Sequence, residues 1–177
     1  SVSRYSNFKP NAIAAHNMLD YLTKLETGYP APELNLERAN GEIVNWGTYK
    51  GKFVYVNFFA SWNQISVNEM KLIKDLRIKY GEEIAFVSLS TDKTRADYDK
   101  YMSAHEDYDW DVFYLGENNV LLDQFNVVTV PAYYLIDQDG YIALSPAKSP
   151  SPDGVYESID KTFYYIKTEL NRSPQRH

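Results

Sequence analysis

The chain has no cysteine among its 177 residues. That excludes disulfide stapling, thiolate metal sites and any reaction that proceeds through a thiol. Excess positive charge is missing too. The formal net charge is −6 and the sequence pI is near 5.1, which argues against a nucleic-acid partner, since such a partner selects a basic face. No apolar run approaches the roughly 18–20 residues needed to span a membrane. With Ser1 at its start and no leader-like segment, the chain is expected to be a processed or excised part of something longer. There is no internal repeat and no low-complexity stretch. What remains is 44% apolar and 15% aromatic, enough to bury one sizeable core.

Phe53 to Ala60 (FVYVNFFA) is a nearly continuous β-branched and aromatic run, which predicts a central strand buried on both faces. A short Ser61-Trp62-Asn63 link follows. Val67, Met70, Ile73, Leu76 and Tyr80 then recur at three- and four-residue steps, one apolar face of a helix. Gly81 is the candidate C-cap. A buried strand running directly into an amphipathic helix is the core of an α/β fold, with function expected at the turn.

Two helix-start signals overlap there. Asn63 is a favourable N-cap, and Ser66-Val67-Asn68-Glu69 fits a capping box that would start the helix three residues later. Both assign Asn63 and Ser66 structural roles. A nucleophilic Ser66 would need a base beside it. The histidines His16, His105 and His177 follow no strand end near the turn, and no Gly-X-Ser-X-Gly elbow exists, so a hydrolase is disfavoured.

Along the rest of the chain, Ala12–Leu25 reads as an amphipathic helix that Gly28 and Pro30 end. It either packs on the domain or finishes a preceding one. Glu33–Leu36 and Glu42–Trp46 read as a hairpin about Asn40-Gly41. Ile84–Ser90 is a second buried strand, Arg95–His105 a helix, Val112–Leu115 a short strand and Val120–Phe125 a short helix. Ala132–Ile136 and Tyr141–Leu144 form a hairpin about Asp137–Gly140. That turn begins like a calcium loop but lacks the remaining ligands. Ser145–Gly154 is a Ser/Pro-rich connection, Val155–Leu170 a closing helix, and 171–177 a tail. Glu106, Asp107, Asp109 and Asp111 around Trp110 read as a solvated acidic run, with a cation site as the alternative. The sixteen tyrosines suit half-buried positions. No cofactor or metal is expected.

Phe58-Phe59-Ala60-Ser61-Trp62-Asn63-Gln64-Ile65-Ser66 resembles the active-site segment of membrane-associated thioredoxin-like disulfide reductases, the TlpA-like and ResA-like group. The family pattern there is Phe-Trp-Ala-(Ser/Thr)-Trp-Cys-X-X-Cys, so Asn63 and Ser66 stand at both cysteine positions. Gly28–Pro32 resembles the family's entry into its first strand. Val127-Val128-Thr129-Val130-Pro131-Ala132 resembles its cis-proline loop. The resemblance spans about 28–170. It implies a thioredoxin-like α/β fold, a central mixed sheet flanked by helices, with an N-terminal hairpin, an inserted helix and a further N-terminal helix in 1–27.

It also implies a groove in which Val130 and Pro131 lie beside exposed Trp62 and Asn63, and a cell-envelope location. Glu69 matches an acidic residue that helps proton transfer to the cysteines, a role without an object here. The expected function is a redox-inactive module that binds an extended peptide or protein segment through Trp62, Asn63, Gln64, Ile65, Val130 and Pro131. The alternatives are the family's thiol–disulfide oxidoreductase activity, and a purely structural domain of a larger envelope protein.

Overall fold

The computed structural model describes residues 27–151 and 158–172. The expected helix over 12–25, the start of the closing helix at 155–157 and most of the tail lie outside them. The elements are β1 (Leu36–Glu37), β2 (Ile43–Val44), a 3-10 turn (Trp46–Tyr49), β3 (Phe53–Phe59), α1 (Gln64–Tyr80) and β4 (Ile84–Ser90). They continue with α2 (Arg95–Ser103), β5 (Asp111–Tyr114), α3 (Val120–Gln124), β6 (Ala132–Ile136), β7 (Ile142–Leu144) and α4 (Ile159–Arg172).

One five-stranded sheet carries the fold, in the order β5-β4-β3-β6-β7. β3 and β5 run parallel to β4, whereas β6 is antiparallel to β3 and β7 to β6. The central position of β3 explains its composition. Tyr55 and Phe59 pack with Met70, Ile73, Leu76 and Phe163 on the face covered by α1 and α4. Val54, Val56 and Phe58 pack with Leu34, Val44, Leu121 and Phe125 on the other. With both faces dry, each large side chain contributes about 1.5–3 kcal/mol of burial. Tyr55 stacks on Tyr133 at 5.6 Å and meets the edge of Phe163 at 5.1 Å, geometries favoured by the ring quadrupole.

The small β1–β2 hairpin stands where Asn40-Gly41 placed it. Gly41 has φ +90°, a backbone region that admits glycine without strain. Its strands are shorter than the sequence suggested, two residues each. Gly81 does sit at the C-cap of α1, but with φ −63° rather than in the left-handed region. Its value is room: a Cβ there would come within 2.6 Å of the Arg77 carbonyl oxygen.

The acidic run around Trp110 is not a plain solvated loop. Asp107 pairs with Lys74 at 2.5 Å and Asp109 with Arg77 at 3.7 Å. Asp111 accepts from Arg38 Nε and Nη2 at 2.8 and 2.7 Å and from the Tyr49 hydroxyl at 2.5 Å. The Arg38 fork thereby ties the hairpin to β5. Among the described residues no cluster of His, Asp and Glu is arranged to hold a metal.

Burial of Asp111 raises its pKa, but the Arg38 and Tyr49 hydrogen bonds outweigh that and leave it below the usual value. A depressed folded pKa gives stability that is present above the unfolded pKa of about 3.9 and is lost as pH falls through the folded one. Asp111→Asn is therefore expected to cost about 1–2 kcal/mol at neutral pH, and the difference should vanish in strong acid. Urea melts at pH 7 and below pH 3 check this. A penalty that is independent of pH would refute the assignment.

Candidate functional site

β3 ends at Phe59, and the chain turns through Ala60–Asn63 into α1. Asn63 is the N-cap: its backbone is extended (φ −94°, ψ 112°), and its Oδ1 accepts from the Ser66 amide at 2.8 Å. The helix therefore begins at Gln64, and the capping box at Ser66–Glu69 does not form. Once Asn63 has taken the amide that a cap would satisfy, Ser66 falls inside the first turn. Ser66 is 1% exposed, and its buried Oγ has no hydrogen-bond partner.

The inner face of α1 thus starts with two polar residues, Ser66 and Glu69, before Met70, Ile73, Leu76 and Tyr80. Glu69 is 8% exposed. Its two carboxylate oxygens accept from the Ser151 hydroxyl at 2.5 Å and the Ser151 amide at 3.2 Å. That bond pair ties the Ser/Pro-rich connection to α1. The buried Tyr133 hydroxyl has no hydrogen-bond partner, and burial, with the nearby Glu69 charge second, pushes its pKa well up. It is a neutral phenol at any ordinary pH.

Sequence reasoning missed Asp92, which holds the turn in place. Fully buried, at 0% exposure, it accepts from the Ser61 amide at 2.9 Å and the Ser61 hydroxyl at 2.8 Å through one oxygen. Through the other it accepts from Ser90 Oγ at 2.7 Å. Three donors compensate a carboxylate that would otherwise be costly to bury. The parallel register that sets Phe59 opposite Ser90 brings Ser61 and Asp92 together. The usable sequence signal was the polar Ser90-Thr91-Asp92 ending on an apolar strand. A second polar chain crosses the sheet, from Trp110 Nε1 to Ser88 Oγ at 2.9 Å and from Ser88 Oγ to Asn57 Oδ1 at 2.5 Å.

The antiparallel register pairs Ala132 with Phe58. The segment leading into β6, Val130-Pro131, and the segment leaving β3, Ala60–Asn63, therefore lie at the same end of the sheet. The Val130–Pro131 bond is cis, as is Ser145–Pro146. Trp62 is 72% exposed, Ile65 63% and Val128 86%, a concentration of apolar surface around this end. Gln64 is also exposed, with its side-chain amide donating to Asn68 Oδ1 at 3.0 Å. Val130 and Pro131 are half-buried. Among the described residues no backbone–backbone hydrogen bond engages Val128, Thr129 or Val130. Chemically, the end offers an N-capped helix terminus, backbone groups without backbone partners and apolar side chains, but no thiol.

Comparison with known proteins agrees with the geometry. A family profile described as thioredoxin-like matches residues 51–142. The thioredoxin-like protein YneN of Bacillus subtilis is 25% identical over 118 residues, covering 67% of this chain and 69% of YneN. The thiol-disulfide oxidoreductase ResA of Bacillus thuringiensis is 26% identical over 120 residues, covering 67% and 68%. A crystal structure from Bacteroides vulgatus, described as a candidate thiol-disulfide oxidoreductase, superimposes with a TM-score of 0.68 at 25% identity. It covers 81% of this chain and 99% of its own. The five-stranded mixed sheet, the strand-to-helix turn at Asn63 and the profile match over half the chain lead to one assignment: this chain belongs to the thioredoxin-like family.

Proposed function

We propose that the domain is a redox-inactive thioredoxin-like module that binds an extended peptide or protein segment at the Trp62–Ile65 and Val130-Pro131 end of its sheet. Thiol–disulfide exchange begins with a thiolate and is resolved by a second thiol. With Asn63 and Ser66 at the two motif positions and no cysteine elsewhere, the activity carried in the relatives' names has no nucleophile here.

The observation that carries the binding reading is the unengaged backbone of Val128–Val130 at the same sheet end as exposed Trp62 and Ile65. Free N–H and C=O groups are what a strand-like ligand pairs with, and exposed apolar side chains at the same sheet end supply its anchors. Asn63 and Gln64 flank those anchors with polar groups.

The cell envelope is the proposed location. One structural relative is described as an exposed lipoprotein of Streptococcus pneumoniae and another as the C-terminal domain of a Bacteroides thetaiotaomicron protein. No helix among the described residues is long and apolar enough to cross a membrane. A link to the membrane would then come from outside the described fold.

Isothermal titration of a library of extended peptides against the parent chain and Trp62→Ala tests the binding reading. Losing an exposed aromatic anchor is expected to weaken binding by about 2 kcal/mol, roughly thirtyfold. Equal affinity of the two proteins for every peptide that binds would contradict the site.

A further inference from the structure

We infer that the opposite end of the sheet binds a phosphate group, in a hollow that Lys52, Arg77, Lys79 and Lys167 surround. The site is independent of the peptide-binding reading above. The hollow has a volume of about 490 Å³ and lies where α1 ends, against Lys52 before β3 and Lys167 of α4. Its lining carries those four cations against two carboxylates, Glu82 and Glu83. That is a local excess of positive charge in a chain whose net charge is −6. Arg77 and Lys79 belong to the last turn of α1, where cations complement the negative end of a helix. Lys52 and Lys167 come from other elements, and the helix end does not account for them.

Two of the cations meet at Gly81. The Lys52 ammonium donates to its carbonyl oxygen at 2.9 Å. The Arg77 guanidinium folds onto the same residue, with Nη1 2.2 Å from where a Cβ would stand. Gly81 has φ −63°, which any residue adopts, so what its missing side chain provides is space, the guanidinium's included. The other two cations gather at one ring. The Lys79 and Lys167 ammonium nitrogens lie 5.1 and 5.9 Å from the Tyr80 ring centroid.

Among the described residues neither Lys52 nor Lys167 has a carboxylate partner; their contacts are the Gly81 carbonyl and the Tyr80 ring. Arg77 stands 3.7 Å from Asp109, beyond hydrogen-bond length, and Lys79 pairs with Asp160 at 3.2 Å on the exposed surface. Such exposed pairs hold their partners weakly. A phosphate would accept from the planar Arg77 fork and from the lysine ammoniums as point charges. It would also relieve the mutual repulsion of the four cations.

Isothermal titration with pyrophosphate, at constant chloride, tests the site. The parent chain is expected to bind it with a Kd on the order of 1 mM. Lys167→Gln should weaken binding at least about fivefold, and Lys52→Gln by a similar factor. Lys167 donates no hydrogen bond, so its variant is informative even if loss of the Lys52 bond to Gly81 disturbs the fold. Lys93→Gln, an exposed change at the other end of the sheet, should leave the affinity within about twofold. Cosedimentation with phosphatidylcholine vesicles, with and without phosphatidylglycerol, identifies the source of the phosphate. Retention on the anionic vesicles alone, lost in Lys167→Gln, would assign a lipid headgroup. Pyrophosphate binding without retention would assign a dissolved phosphate compound. Absence of binding to both pyrophosphate and anionic vesicles would overturn the inference. So would a folded Lys167→Gln that binds as tightly as the parent, or an equal loss in Lys93→Gln, which would reduce the effect to overall charge.

Discussion

Asn63→Cys combined with Ser66→Cys is expected to give the chain dithiol reductase activity. Asn63 Oδ1 reaches the Ser66 amide at 2.8 Å, so the side chain at position 63 folds over the first turn of α1, where Ser66 sits. Ser66 Oγ has no partner to lose, and a sulfur atom there is a small apolar replacement in a buried slot. The 17-residue helix α1 presents its positive end to position 63, which favours a thiolate over a thiol. Glu69 lies one turn below, on the same inner face as Ser66. The oxidised variant should show no thiol reactive toward Ellman's reagent. With dithiothreitol it should reduce insulin at least about 100-fold faster than the parent chain, whose rate should equal that of buffer. Two free thiols after oxidation would show that the turn does not present these positions as described.

Loss of Asp92 is expected to be the most damaging single change near the site. Asp92→Ala removes the acceptor for the Ser61 amide, the Ser61 hydroxyl and Ser90 Oγ at once, and leaves these donors unpaired or wetted. Hydrogen bonds to a charged group contribute about 1.5–3 kcal/mol each and are not additive. A destabilisation of about 3 kcal/mol follows, which lowers the Tm by about 10 °C in a chain of this size. Differential scanning calorimetry measures it. Because Ser61 begins the turn to Trp62, the indole emission should change as well. A Tm within about 2 °C of the parent's would mean that water replaces the carboxylate without loss.

Much of the fold was legible because its signals are local. An apolar run buried on both sides announced β3, a 3.6-residue period announced α1, and Asn-Gly announced the hairpin. The candidate site was legible in outline for another reason: the Trp62–Ser66 and Val127–Ala132 segments resemble a known family even without its cysteines. What escaped depends on contacts between residues far apart in the chain. Asp92 reaches Ser61 only through the β3–β4 register, and Arg38 reaches Asp111 only when the hairpin packs beside β5. The capping box at Ser66–Glu69 was a true local pattern defeated by a competing one. Asn63 caps first, which turns Ser66 and Glu69 inward, where Glu69 finds Ser151.

The most direct measurement of the proposed role is a 15N–1H correlation spectrum of the labelled chain titrated with an extended peptide that binds it in the calorimetric titration. The shifts are expected to concentrate on the amides of Trp62–Ile65 and Val128–Val130 and on the Trp62 indole, with β5 and the Arg38 hairpin unmoved. Shifts centred instead on the hairpin and β5, or none at saturating peptide, would contradict a binding site at this end of the sheet.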